Sequence, residues 1–365
     1  LTFRFLVKLK QRGVNVIVIS SESLLSKKDI LVVDVGSGTQ DVLVYQAGKN
    51  IENCPKLVMP SQTQLVAGKI RRATQQGHSI YLYGHVMGGG ACYSALKQHL
   101  AAGLNVYATK QAAYTFNDNL NEVSEMGIEL VEAVPDNADK IWLGDIDLPA
   151  FQQALAAFAQ PLPALLAAAV QDHGFSAEES NRKVRFRLLE QFIAKGGFLR
   201  DLVYTEQIPE VYTRMNAVRE IVPGAVLTDT GAAALLGITA DSAVQPQLEK
   251  GIIAVNIGNS HTLAAAIRGQ RVYGIFEHHT KDLNTELLAS LVKGMQNAEL
   301  SNDEIYNAGG HGAALHPDMG PGWDYIAVTG PRRAMAEPLG WHEAAPYGDM
   351  MLTGCFGLLI GLGII

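Results

Sequence analysis

The strongest constraint on this chain is a short apolar run that ends in an acid and a glycine turn. Residues 30–33 (Ile-Leu-Val-Val) lead into Asp34, then Gly36-Ser37-Gly38-Thr39-Gln40, and an apolar run resumes over 42–45. Apolar segments of this length around a glycine turn read as paired strands, so the segment predicts a hairpin. A second turn at Gln46-Ala47-Gly48-Lys49 leads to a third strand over 56–59, which Pro60 ends. Ser61 and Gln64 stand at capping-box spacing and open a helix that Gly77 closes. A strand over 79–83, a helix over 91–102 entered through Gly88-Gly89-Gly90, and a strand over 104–108 give the order βββαβαβ.

The pattern recurs about 220 residues later, which is the signature of a duplication. Residues 251–255 are apolar, Asn256-Ile257-Gly258-Asn259-Ser260-His261 form a polar turn, and 262–267 run back. Arg268-Gly269-Gln270 turn again into a third strand over 272–276. A meander of three strands followed by alternating helices and strands is the ribonuclease-H-like order. The fold class expected is therefore α/β: two ribonuclease-H-like lobes with mixed sheets, a nucleotide cleft between them and a helical insertion. The division expected is 1–28 as an extension, 29–116 plus 345–365 as the first lobe, 117–219 as a partly helical connection, and 220–344 as the second lobe. Residues 5–20 read as a short basic helix followed by a strand over 14–19. Residues 151–169 are alanine-rich and read as helical despite Pro161 and Pro163, and 183–194 read as a basic helix. A further helix is expected over 283–293 and a strand over 325–329.

Composition removes several classes. A net charge of -7 with no basic stripe argues against nucleic acid as a partner. The longest apolar stretch, 350–365, carries Gly354, Gly357, Gly361 and Gly363 and falls short of the roughly 20 residues of a spanning helix. It reads as a buried helix whose glycines allow close backbone packing, and no membrane partner is expected. Cys54, Cys92 and Cys355 are widely spaced, which supports neither an iron–sulfur cluster nor a disulfide framework and fits a cytoplasmic protein. There is no Walker loop, dinucleotide fingerprint, H-E-x-x-H or G-x-S-x-G.

The chemistry expected centres on Asp34, Gly36, Ser37, Gly38 and Thr39. A carboxylate at a strand end can hold magnesium, while a glycine turn lets backbone N–H groups approach phosphate oxygens. Gly258, Asn259, Ser260 and His261 are the equivalent phosphate contacts from the second copy. Asp145 and Asp147 follow the apolar stretch 141–143; on a strand they would share a face, as a general base or, for Asp147, a weaker metal ligand. Asp172, His173 and Arg182 place an acid, an imidazole and a guanidinium close in sequence, His173 being the other candidate base. His85, Glu277 and His278 are candidate substrate contacts. His278 and His279 point to opposite faces if the strand continues through them. With His85, His261 and His311 also beside turns, the histidines read as lining a cleft, without the spacing of a zinc site.

Asp34-x-Gly36-x-Gly38-Thr39-x-Asp41, the second hairpin and the late strand with Gly330 resemble the actin, heat-shock chaperone and sugar-kinase superfamily. That resemblance implies two lobes closing on ATP and Mg2+, with an adenosine pocket bordered by Gly330 and Arg332. More closely, Gly84-His85-Val86-Met87-Gly88-Gly89-Gly90, Gln171-Asp172-His173-Gly174, Phe276-Glu277-His278-His279-Thr280 and Thr329-Gly330-Pro331-Arg332-Arg333 resemble a family whose members are labelled "putative pyruvate formate-lyase activating enzyme". True activases of that kind bind a four-iron cluster through three closely spaced cysteines, a spacing this chain lacks. The superfamily would place an acid where Asn256 stands, and Asn carries no charge to help hold magnesium. The expected function is an ATP-binding phosphotransferase or ATPase acting on a small molecule or protein, with a non-catalytic nucleotide or metabolite sensor as the alternative. A homodimer is compatible with either.

Overall fold

The computed structural model describes residues 8–11, 14–17 and 27–365. Strand β1 (Lys8–Gln11) pairs antiparallel with β2 (Val14–Ile17). Residues 8–11 thus form a strand where a basic helix was expected, in keeping with the period-two alternation Lys8-Leu9-Lys10. The rest of that expected helix lies outside the described residues.

The first meander forms as expected: β3 (Ile30–Val35), β4 (Thr39–Tyr45) and β5 (Lys56–Pro60). The chain then leaves this sheet. Helix α1 (Gln62–Gln76), β6 (Ser79–Gly84), α2 (Gly90–Ala101), β7 (Val106–Ala108), α3 (Lys110–Ala113), α4 (Leu120–Glu125), β8 (Ile128–Leu130) and β9 (Ala138–Leu143) build a separate parallel sheet of order β8-β7-β6-β9. Its core, with Ile70, Ile80, Leu82, Leu96 and Ile141, is independent of the first sheet. The expectation that the strands at 79–83 and 104–108 complete the first sheet is corrected. Their parallel partners lie further along the chain, a pairing that no local pattern records.

After α5 (Leu148–Ala156) the chain returns as β10 (Leu165–Val170), which runs parallel to β3. This corrects the helix expected through residue 169. Ala167, Ala168 and Ala169 are fully buried from both sides, so small residues suit a central strand covered by helices on each face. Helices α6 (Asn181–Ala194) and α7 (Thr213–Ile221) precede β11 (Val226–Thr228), which gives the first sheet the order β11-β10-β3-β4-β5. Helix α8 (Thr230–Ile238) then leads to the second meander, β12 (Ile252–Ile257), β13 (His261–Arg268) and β14 (Arg271–His279). Beyond it lie α9 (Thr285–Gln296), α10 (Asn302–Asn307), β15 (Gly312–Leu315), β16 (Tyr325–Thr329), β17 (His342–Glu343) and α11 (Thr353–Gly361). The second sheet runs β15-β14-β13-β12-β16-β17.

Strip β15 from that edge and the two sheets have one topology. Each is an antiparallel meander whose first strand is flanked by two later parallel strands, so the duplication is a property of the fold. The chain is an α/β protein of two ribonuclease-H-like lobes. The helices cross between them: α8, which follows a first-sheet strand, packs on the second sheet through Leu235 and Leu236, whereas α11, which follows the second sheet, packs on the first through Phe356 and Leu359. The two helices meet backbone to backbone. A Cβ on Gly357 would overlap the Ala233 carbonyl oxygen, and one on Gly237 would overlap that of Thr353. This is the close packing that the glycines of 350–365 predicted. Among the described residues no helix is long and apolar enough to cross a membrane.

Candidate active-site cleft

Both sheets present the carboxyl ends of their parallel strands to one cleft, the position where open α/β sheets bind ligands. Asp34 falls one residue before the end of β3, Asn256 one before the end of β12, Gln171 to Gly174 follow β10, Asp229 follows β11, and Gly330 follows β16. The main cleft has a volume of about 310 Å³, enough for a small organic ligand. A side cavity of about 80 Å³, lined by Asp34, Thr39, Asp41, Asn256 and Gly330, suits a phosphate or a cation rather than a nucleoside.

The two glycine turns are copies in detail. Gly36 N donates to Thr39 O, and Gly258 N donates to His261 O, each at 2.9 Å. They meet at their tips, where the Ser260 hydroxyl donates to Ser37 Oγ at 2.7 Å. Among the described residues no hydrogen bond takes up the N–H of Ser37, Gly38, Asn259 or Ser260. The pair Ser61 and Gln64 does not form a capping box. Both side chains instead donate to Ser37 O at 3.1 Å, fixing the first turn to the start of α1.

Asp34 and Asp41 sit opposite one another on β3 and β4. Burial pushes the Asp34 carboxyl up to about 7; a hydroxyl bond from Thr230 at 2.5 Å opposes this, and nearby Asp229 adds to it. Burial, then the charge of Asp34, pushes Asp41 up to about 8, and its Oδ1 has no partner among the described residues. Two acids and an orphaned buried oxygen form a set that a hard cation would satisfy.

The remaining expected residues divide by position. Asp145 and Asp147 lie beyond the end of β9, not on a strand face. Asp145 is clamped by Arg214, whose Nε and Nη2 donate at 2.6 and 2.8 Å, and it accepts from Gly88 N. Asp147 caps α5 through Ala150 N and does not line the cleft. His85 faces Glu220 at 3.1 Å away from the cleft lining. Arg182 donates to Gly310 O at 2.6 Å and stacks over Tyr306. Arg332 is exposed and outside both cavities, whereas Gly330 packs on Asn256. His278 is buried on the opposite face of β14 from Glu277 and His279, so the strand does continue through this pair.

Asp172 and His173 do reach the cleft. Asp172 accepts from the N–H groups of Gly174 and Met215, and burial pushes its carboxyl up to about 6. Sequence reasoning missed Arg185, which ties three elements together. From α6 it donates to both Asp229 oxygens and to Glu277, and it reaches Asp172 O at 3.1 Å. Asp229 caps α8 through Gly231 N, and Gln171 donates to Glu277 at 3.0 Å. The signal available was Thr228-Asp229-Thr230-Gly231, a polar turn where a strand becomes a helix. Against this network four imidazoles gather: His173, His261, His279 and His311, with ring centroids 4.7 to 5.5 Å apart in five pairings. Burial, then Arg185, brings His261 down to about 4 and holds His173 well below the usual imidazole range.

The three cysteines are buried and free; Cys92 belongs to the core of the inserted sheet, Cys54 and Cys355 to that of the first lobe. They do not converge on one cluster site. Residues 87–335 match the family described as "Putative pyruvate format-lyase activating enzyme (DUF1786)", and the chain belongs to that family. No curated protein matches it. Among solved structures, MreB 5 of Spiroplasma citri bound to AMPPNP is 10% identical with a TM-score of 0.33, over 91% of this chain and 95% of that one. Ethanolamine utilization protein EutJ from Carboxydothermus hydrogenoformans is 11% identical with a TM-score of 0.27, over 90% of this chain and 88% of that one. A ROK family transcriptional regulator, a homologue of the E. coli MLC protein, is 9% identical with a TM-score of 0.26 over 67% of this chain. The chain spans 37% of that regulator's length.

Proposed function

We propose that this member of the family binds ATP with Mg2+ in the cleft between its lobes and transfers or releases the terminal phosphate. The observation that carries the reading is the pair of glycine turns. They come from equivalent strands of a duplicated fold, meet at 2.7 Å, and leave four N–H groups unspent. Such groups at strand ends form an anion-binding concavity. Asp34 and Asp41 would hold the magnesium ion, which when bound neutralises phosphate charge. Thr230 orients Asp34 through its hydroxyl. Both oxygens of Asp145 are committed to Arg214, which argues against it as the general base. The cysteine placement gives radical activation of another enzyme no support.

Calorimetry with ATP, ADP and a non-hydrolysable analogue, with and without Mg2+, tests this. Magnesium-dependent binding is expected, and Asp34→Ala should weaken it while circular dichroism stays native. No heat of binding from any of the three nucleotides sinks the proposal. Asn256, uncharged and lining the side cavity beside Asp34, favours a second reading, a sensor that binds nucleotide without turnover. Thermal stabilisation by ATP with no phosphate release across a panel of acceptors would select it.

A further inference from the structure

The imidazole cluster is not explained by nucleotide binding. His173 comes from the loop after β10, His261 begins β13, and His311 precedes β15, so three distant segments deliver it. One ligand atom from each of these histidines and from Glu277 all lie within 4.8 Å of one another. Tetrahedral coordination at the usual metal–nitrogen distance needs separations of about 3.4 Å, so closing the site asks for roughly 1.4 Å of side-chain movement.

The nitrogens there are unspent. Among the described residues, His173 Nε2, His261 Nδ1 and both ring nitrogens of His311 have no hydrogen-bond partner, and His311 is only 2% exposed. Buried polar atoms are nearly always satisfied, and a set of convergent orphans points to a missing ligand. A metal ion takes neutral imidazole. No cysteine belongs to the set, and imidazole donors suit zinc, cobalt, nickel, copper and iron.

We propose that His173, His261 and His311 bind one divalent transition-metal ion, with Glu277 supplying negative charge at its flank and a coordination position open to the main cleft. Three imidazoles with one open position are the donor set of a Lewis-acid centre. The Glu277 carboxylate is fixed from behind by Arg185 and Gln171, which sets its orientation toward His311. His279 packs at a tilt against His261 and edge-on against His311. His173 and His261 line the cleft, so a substrate oxygen placed there can reach the ion. The site is separate from the acid pair at Asp34 and does not depend on nucleotide binding.

The test uses the full, untagged chain, stripped with EDTA and titrated with Co2+ alone, without nucleotide. The expected result is one Co2+ per chain with an intense visible ligand-field band of tetrahedral type, displaced by Zn2+. His261→Ala and His311→Ala should each weaken binding by more than about 100-fold, beyond the range of outer-shell changes. His85→Ala, outside the cleft, should bind as wild type. Melting curves in EDTA establish that each variant is folded, and His173→Gln provides a milder variant on a loop. Wild-type protein with substoichiometric Co2+ or no such band overturns the proposal, as do folded variants that bind like wild type. Loss of ATP binding with Co2+ binding intact would remove the nucleotide reading and leave this one standing.

Discussion

Gly357→Ala sets two effects of one methyl group against each other. In a helix interior, alanine is favoured over glycine by about 1 kcal/mol. At this position, however, the methyl would overlap the Ala233 carbonyl oxygen and lie 2.7 Å from Gly237 N and 2.8 Å from Ala233 C. Every obstructing atom is backbone, so no side chain can swing aside, and ordinary contact requires α11 to retreat from α8 by more than about 1.5 Å. Overpacking of this kind costs about 1–3 kcal/mol, and a rigid obstruction belongs at the upper end, leaving a net loss of about 2 kcal/mol. Gly68→Ala on α1 is the control: nothing lies within 4 Å of a Cβ there, so only the propensity gain of about 1 kcal/mol remains. Urea denaturation of both variants should move the midpoints in opposite directions. If Gly357→Ala proves as stable as the wild type, the two helices are not locked by backbone contact, and the account of how the lobes are joined is wrong.

Arg185→Met leaves Asp229 and Glu277 buried without their counter-charge, which should cost about 3–5 kcal/mol at pH 8. Burial already raises the Glu277 carboxyl, with Arg185 holding it down, so removing Arg185 lets both acids titrate higher in the folded state than unfolded. Such groups lose stability as pH rises, and the deficit in urea denaturation should be smaller at pH 5 than at pH 8; a pH-independent deficit would refute the cause. Asp241 is buried, yet bonds from Ala345 N, His342 and Ala243 N hold its carboxyl below 3.8. Asp241→Asn should therefore cost about 1–2 kcal/mol at neutral pH, and the difference should begin to shrink near pH 3.8 and disappear as pH falls through the lower folded-state value, read from urea midpoints. In Ser37→Cys/Ser260→Cys, replacing a pair 2.7 Å apart, mild oxidation should form a disulfide joining the lobes, and Mg-ATP should slow it by parting the turns. Equal rates with and without nucleotide, on a non-reducing gel, would show that phosphate does not enter there.

What the sequence revealed was local. Asp34 and its turn were legible because turn chemistry is written in consecutive residues, and the second turn because a duplicated order repeats. Strand β10 was not legible, since Ala167 to Ala169 carry helix propensity and a strand buried on both faces shows no alternation. The inserted sheet escaped for another reason: parallel strands pair across helices, so residues 79–84 look the same whichever sheet accepts them. Ser61 and Gln64 had the spacing of a cap and serve a different bond, because the carbonyl of Ser37, about 25 residues away, offers a nearer partner. The histidine cluster had no sequence spacing at all. Pairing of His261 with His279 across β13 and β14, and the bond from His311 N to Glu277 O, bring it together.

With both proposals in place, the two turns of one duplicated unit would carry two chemistries. Aligned through their equivalent glycine bonds, Asp34 corresponds to Asn256, Thr39 to His261 and Asp41 to Leu263. The first copy therefore keeps two carboxylates on its inner strands, oxygen donors suited to a hard cation. The second has neither acid at the matching positions and places an imidazole where the first has a hydroxyl, beside further nitrogen donors from β14 and the loop before β15. The loss of charge at Asn256 and the gain of nitrogen at His261 lie five residues apart on the same turn. If both sites are occupied together, the cleft holds a hard ion against one lobe and a softer ion against the other. A bound phosphate reaching across the touching turns would then lie between them. That arrangement would give the second lobe a role without an acid at position 256, and would make the chemistry of the cleft depend on what His261 holds.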